Sequence, residues 1–278
     1  MTSSSAQPAL QVVSLRKVFK LRTGEAGQDE LVAVDDVSFT VPRSGSLAVV
    51  GESGSGKTTL ARMVVGLETP SSGQVLLEGQ VRPPSTRRRD RAARARQVQM
   101  VFQDPYSSLD PKQTVFKCID EVVHLHSALD GARRIERVQT LLDQVGLDER
   151  HHGVRPSSLS GGQRQRVAIA RALATEPTVL VLDEAVSALD VSVQGQVLNL
   201  LADLRNQLGV TYVFVSHDLA VVQQIAETTI VMRRGRIVEE GPTDTVLTTP
   251  SHDYTKQLLS ALPRPGWKPR RRSTATSA

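Results

Sequence analysis

Apolar residues cluster at alternating positions from Val12 to Val18, where Val12, Val13, Leu15 and Val18 predict a strand, and again from Leu31 to Val41, which predicts a second. Between them Arg22 to Glu30, rich in glycine and charge, reads as a loop. The pattern then changes. Leu47 to Val50 is a short, wholly apolar run that ends on Gly51, and a glycine-rich loop leads from it into a helical stretch, Thr58 to Gly66. Val98 to Phe102 is a further strand. From Val115 to Gly146 apolar residues recur at helical spacing (Val138, Leu141, Leu142, Val145), which predicts a helical insert. After it the chain alternates: helix Gln163 to Thr175, strand Val179 to Leu182, helix Val191 to Leu208, strand Val210 to Val215, helix Leu219 to Ala226, strand Thr229 to Met232. Strands separated by helices of this length predict a mostly parallel sheet covered on both faces, with a β-rich segment ahead of it.

Composition supports a folded core: 39% of the 278 residues are apolar. No apolar run approaches the ~18 residues of a membrane-spanning helix, and the Ser-rich start lacks the layout of a signal peptide, so the sequence reads as cytosolic. A single cysteine, Cys118, can form neither an internal disulfide nor a cysteine metal cluster, and it reads as a small, partly buried apolar residue. The net charge of +5 is uneven. Six bases and no acid follow Asp253, and Arg82 to Arg96 holds seven arginines against Asp90 alone. These segments read as a solvated loop and a loosely ordered tail, or as surfaces for nucleic acid or anionic lipid. Only Trp267 lies near the tail bases, which does not suggest a base-stacking platform.

The candidate chemistry starts at Gly51-Glu52-Ser53-Gly54-Ser55-Gly56-Lys57-Thr58, two glycines flanking four residues and then Lys-Thr. Such a loop curls its N–H groups toward phosphate oxygens, the following helix adds its positive end, and Lys57 reaches the β/γ oxygens. Thr58 is placed to ligate Mg²⁺. A chance match is expected roughly 0.005 times over the chain, and this one falls between a strand and a helix as the mechanism requires. The apolar run Val179 to Leu182 ends on Asp183, an acid suited to Mg²⁺, with Glu184 beside it to orient or deprotonate a water. The same pair also reads as a helix cap with a first-turn acid. Leu159-Ser160-Gly161-Gly162-Gln163 opens another helix, hence a second phosphate-binding surface.

Taken in order, the P-loop, Gln103 in Val-Phe-Gln-Asp-Pro, Leu-Ser-Gly-Gly-Gln, Asp183-Glu184, Ser187-Ala-Leu-Asp190 and His217 in Val-Ser-His-Asp resemble the ATP-binding subunits of ABC transporters. The resemblance covers about residues 10 to 262. It implies an α/β fold with a P-loop NTPase core, a mostly parallel sheet, an N-terminal antiparallel β subdomain and a helical insert at about 112 to 165. It also implies a role for each matched residue. Phe19 stacks on adenine; Gly51, Glu52, Ser53, Gly54, Ser55, Gly56, Lys57, Thr58 and Thr59 hold the phosphates of ATP. Thr58, Gln103 and Asp183 serve Mg²⁺. Glu184 is the catalytic glutamate, His217 contacts the γ-phosphate, and Gln103 links the site to membrane subunits. Ser160, Gly161, Gly162 and Gln163 close over the γ-phosphate of an opposing subunit, and Asp190 crosses that interface.

Finer features are similar to the dipeptide, oligopeptide and nickel importers, and the Tyr in Asp104-Pro-Tyr-Ser-Ser-Leu is similar to the second of their two ATPases. The C-terminal stretch Gly241-Pro-Thr through Thr249-Pro-Ser-His-Asp-Tyr254 belongs with them, as an extension at about 241 to 262. The loop before the signature, Val154-Arg155-Pro156-Ser157-Ser158, departs from the usual pattern of relatives. The resemblance implies a second ATPase as partner, different or identical, two membrane-spanning permease subunits, and indirectly an extracytoplasmic solute-binding protein. It places the chain at the cytoplasmic face of the cell membrane. Di- or oligopeptide import is the leading expectation; nickel or another solute is the alternative. A soluble relative acting on nucleic acid or ribosomes is disfavoured: only 126 positions separate Lys57 from Asp183, with no room for a long coiled coil, and there is one cassette. Residues 1 to 9 are expected to be flexible and 263 to 278 to form a basic tail.

Overall fold

The computed structural model describes residues 7–23, 27–82, 88–104 and 108–260, and the side chains of 21–29 and 88 are outside it. Two sheets organise the fold. The first is antiparallel, with order β2-β1-β4-β5: β1 (Leu10–Thr23), β2 (Gly27–Val41), β4 (Ser72–Leu77) and β5 (Gln80–Val81). The second has order β10-β9-β3-β8-β7-β6: β3 (Ser46–Val50), β6 (Val98–Val101), β7 (Val179–Asp183), β8 (Thr211–Val215), β9 (Thr228–Arg233) and β10 (Arg236–Pro242). All its pairings are parallel except β9 with β10.

The apolar runs that predicted buried strands do so because both faces are covered. Leu47 and Val49 of β3, Val179 and Val181 of β7, and Val213 and Val215 of β8 point into one core, shared with Val12, Leu15, Val37 and Leu60. Their neighbours Leu180, Leu182, Tyr212 and Phe214 point into another, shared with the helical insert. Ala48 and Val50 pack with Leu219, Val222, Val246 and Tyr254 in a third. The period of two along each strand thus sorts residues between layers.

The helices are α1 (Lys57–Val65), α2 (Arg88–Ala95), α3 (Val115–His126), α4 (Gly131–Gln144), α5 (Glu149–His152), α6 (Gly161–Leu173), α7 (Val191–Leu208), α8 (Leu219–Ile225), α9 (Thr243–Thr248) and α10 (Asp253–Ser260). No described helix is long and apolar enough to cross a membrane.

Several expectations change. The loop placed at Arg22 to Glu30 gives way to a long hairpin, because β1 and β2 stay paired out to Thr23 opposite Gly27. The single helical stretch from Val115 to Gly146 is two helices: Ser127 hydrogen-bonds back to Val123 O at 2.7 Å, and Asp130 caps α4 by accepting from Arg133 N. Val138, Leu141, Leu142 and Val145 are all fully buried against α6 and its neighbours. The arginine-rich loop contains α2, and Arg94 on it donates to Arg82 O at 3.0 Å. Burial and the nearby Arg82 charge lower the pKa of Arg94. Ala9, assigned to a flexible terminus, is fully buried and bonded to Val41 O at 3.1 Å. Cys118 is buried, which raises its pKa. Tyr106, the seven-arginine cluster's Arg87, and the tail with Arg264, Trp267, Lys268 and Arg270 to Arg272 lie outside the described residues.

Candidate functional site

Because β3, β6, β7 and β8 run parallel, their C-terminal ends meet at one edge of the sheet. From those ends come Gly51, Gln103, Asp183 with Glu184, and His217. This is the physical reason that motifs up to 166 positions apart in the chain can share a site.

The helix that follows the loop from β3 starts without a side-chain cap. Gly56 caps α1, no side chain completes that cap, and the first turn holds no acid. Five other helices differ, with Thr114, Asp130, Asp148, Ser160 and Asp218 each accepting from a first-turn N–H. α1 therefore presents bare donors and the positive end of its dipole to the loop. Two glycines are required by close approach: a Cβ on Gly51 (φ 149°) would lie 2.3 Å from Met232 O, and one on Gly56 (φ 105°) 2.2 Å from Ala33 O. The loop is fastened from outside, since Gly235 donates its N–H to Ser55 O at 2.9 Å and its carbonyl oxygen accepts from Asp35 N–H at 2.8 Å.

Lys57 is 6% exposed, and its ammonium donates to Gly51 O and Glu52 O, each at 2.8 Å. Burial lowers its pKa, opposed by the charges of Glu184, Asp183 and Glu52. Thr58 Oγ1 donates to Asp183 Oδ1 at 3.3 Å. Asp183 is 7% exposed, and burial pushes its carboxyl above the usual range against the Thr58 hydrogen bond, with the Glu184 charge adding to the rise. Glu184 holds a left-handed backbone (φ 50°), donates its N–H to Val215 O at 2.9 Å, and places Oε1 3.1 Å from His217 Nδ1. Ser55 Oγ is buried with no hydrogen-bond partner among the described residues.

Of these groups Lys57, Thr58 and Glu184 line a cleft of about 450 Å³ together with Phe19, Ser53, Gly54, Gly56 and Thr59, while Gly51, Glu52, Ser55, Asp183 and His217 lie outside its lining. Phe19 reaches it from β1, with the Lys17 ammonium 4.8 Å from its ring. Sequence reasoning missed Leu31, Val32, Ala33 and Arg234 in the same lining. Arg234 lies in the turn between β9 and β10, which the Arg-Gly pair could have signalled; the approach of β2 has no local signature. A second cleft of about 340 Å³, at Met63, Arg82 and Arg94, contains none of the phosphate-loop residues.

The structure does not bring Ser160 to Gln163 into this cleft, and Gln103 is exposed at the end of β6 and outside the lining. The signature segment is occupied locally. Ser160 Oγ accepts from Gln163 N at 3.2 Å and Gln163 Oε1 accepts from Ser160 N at 2.9 Å, a reciprocal cap on α6. Gln163 Nε2 also sits 2.9 Å from His151 Nε2.

Comparison with known proteins agrees with this geometry. A family model described as ABC transporter matches residues 34–187, and one described as the C-terminal region of oligopeptide/dipeptide transporters matches 238–277. The chain is 44% identical over 262 residues to the dipeptide transport ATP-binding protein DppF of Escherichia coli K12, covering 93% of this chain and 77% of that protein. It is 48% identical over 258 residues to a probable peptide ABC transporter ATP-binding protein of Sinorhizobium fredii, covering 92% and 73%. Among solved structures it is similar to the ATP-binding cassette MJ0796 in a dimeric post-hydrolysis state with ADP and Pi (TM-score 0.74, 28% identity, 84% of this chain and 98% of that one). It is also similar to cbiO1 of Clostridium perfringens, part of a transporter complex (TM-score 0.75, 28% identity, 87% and 92%). A phosphate loop with an uncapped helix, a paired Asp-Glu at the neighbouring strand end and these matches lead to one conclusion: the chain belongs to the ABC transporter family, as a nucleotide-binding subunit whose ATP hydrolysis is coupled to transport.

Proposed function

We propose that this ATPase energises the import of di- or oligopeptides. The observation that carries the cargo class is the match of residues 238–277 to the oligopeptide/dipeptide C-terminal region, together with relatives named for dipeptide and peptide transport at 44–48% identity. Glutathione import, named for a relative in Escherichia coli O157:H7 that is 45% identical over 264 residues, is itself import of a small peptide. The chain spans 42% of that relative.

In this reading Phe19 supports the adenine and the loop from Gly51 to Thr59 cradles the phosphates. Lys57 keeps its two carbonyl acceptors and turns the third N–H of its ammonium to the phosphate oxygens. The donor set at Thr58 and Asp183 fits Mg²⁺, which takes oxygen ligands and few of them from protein, with Gln103 as a further ligand on closure. When bound, the ion would neutralise charge on the β- and γ-phosphates. Glu184 takes the proton of the attacking water, and His217, already in contact with that carboxylate, holds its orientation and meets the γ-phosphate. Because Ser160 to Gln163 lie outside the chain's own cleft, a complete site needs a second cassette, whose signature helix would close over Lys57 while this chain's α6 serves the partner. Asp190 and the exposed Val191 stand at the start of α7 beside that surface. The partner is a related ATPase, and the pair docks on two permease subunits at the cytoplasmic face of the membrane.

The test is genetic and direct. Disrupting the gene in a peptide-dependent auxotroph abolishes growth on a di- or tripeptide as sole source of the required amino acid; the wild-type chain restores it and Lys57→Ala does not. Intact peptide uptake accompanied by lost nickel uptake would overturn the cargo assignment.

A further inference from the structure

The C-terminal extension reaches back to the phosphate loop. Glu52 N–H donates to Tyr254 Oη at 3.1 Å, across 202 positions of sequence. The other end of the same peptide unit is Gly51 C=O, which accepts from the Lys57 ammonium at 2.8 Å. One peptide plane is therefore held from both sides, by Tyr254 on its donor and by Lys57 on its acceptor, and such a relay polarises each bond in the direction of the other. Glu52 O adds to the bracket, accepting from Lys57 at 2.8 Å and from Ser55 N at 3.2 Å.

Tyr254 is itself firmly placed. It is 3% exposed and packs with Val50, Leu219 and Val246. The Arg233 guanidinium covers its ring at 4.7 Å, and its N–H donates to His252 Nδ1 at 3.1 Å. The start of α10 is pinned to β10 by Glu239, which accepts from Ser251 N at 2.7 Å, Ser251 Oγ at 2.9 Å and His252 N at 3.2 Å. Burial pushes the Glu239 carboxyl up, but the hydrogen bonds it receives outweigh this and hold it below the usual range, so the pin is ionised at neutral pH.

We propose that Tyr254 is a positioning residue for the phosphate loop: its hydroxyl fixes the Gly51–Glu52 peptide plane and through it the Lys57 ammonium, so that the C-terminal extension sets the affinity for nucleoside triphosphate. The proposal rests on the reading of this loop as the nucleotide site. Tyr254→Phe keeps the buried ring and removes only the hydroxyl. In the full-length chain it is expected to raise the dissociation constant and KM for ATP roughly three- to tenfold, the range for one lost hydrogen bond. kcat stays within about twofold, and the Glu52 amide exchanges faster with solvent in the nucleotide-free chain. An unchanged ATP affinity, or an affinity loss without faster exchange at Glu52, overturns it. By reciprocity, ATP added to the wild-type chain slows amide exchange across Asp253 to Ser260; no change there overturns the proposal without recourse to the variant. Wild-type affinity for ATP reports on the nucleotide reading and the change in Tyr254→Phe on the anchor, so the two fail separately.

Discussion

Glu184 occupies a backbone region that costs a non-glycine residue about 1–2 kcal/mol, and the strand end that imposes it aims the carboxylate at His217. Glu184→Gln keeps the acceptor for His217 and loses the base. Hydrolysis is expected to fall by at least about 100-fold while ATP affinity stays within about threefold, measured by phosphate release and calorimetry. Asp183 carries the opposite trade. Its pKa is raised mainly by burial, so between the ordinary value of 3.8 and the raised one the folded chain retains a proton that the unfolded chain has lost. Stability therefore falls as pH rises through that window, and the cost is complete above the raised value. Asp183→Asn is expected to raise Tm by roughly 2–4 °C for each kcal/mol relieved, with the gain vanishing near pH 4, while ATP hydrolysis is lost. A scanning-calorimetry pH series checks the sign. Both residues were legible as an acid pair ending an apolar strand; the left-handed turn at Glu184 was not, because Glu is an ordinary residue there and only the pairing of its N–H with Val215 forces the geometry.

At the scale of elements, the signature segment is a helix start before it is anything else. The reciprocal cap between Ser160 and Gln163 defines where α6 begins, two residues earlier than the apolar period indicated, because glycines carry no period. Gly162 faces α7 so closely that a Cβ there would lie 2.4 Å from Val193 Cγ1. Gly162→Ala gains up to about 1 kcal/mol in helix propensity but meets a stiff β-branched side chain. A net destabilisation of about 1–2 kcal/mol is expected, read as a lower urea midpoint at unchanged m. Other elements were hidden for reasons of the same kind. β4 starts with exposed Ser72, Gly73 and Gln74 and has only three apolar residues, so it becomes a strand by pairing with β1. α2 has only alanines for apolar residues, with no large side chain to set a period, and Arg94 on it reaches Arg82 and packs over Gly66.

Over the whole molecule the described contact between the C-terminal extension and the nucleotide loop comes from Tyr254, and α10 ends at Ser260. Deleting residues 264 to 278, with five of the chain's bases, is expected to leave ATP affinity and Tm of the full chain unchanged within error; a loss of affinity would assign those residues a part in the site. The family model for the extension runs to residue 277, across the stretch that composition alone set apart as a tail.

What the sequence by itself determined is the set of parts. Short apolar runs alternating with helical stretches specified buried parallel strands, because only a strand covered on both faces tolerates continuous apolar residues. The Gly-Lys-Thr loop specified phosphate chemistry, because its glycines at that spacing let backbone N–H groups turn toward an anion with a lysine beside them. The tertiary structure decided their placement. It brought β3 between β8 and β9, gathered the strand ends on one edge, closed the cleft with β2 and Arg234, and turned Tyr254 onto the loop. It also left the signature helix outside the chain's own cleft. Contacts of this kind join residues tens to hundreds of positions apart through backbone groups that every residue shares, so no local pattern records them.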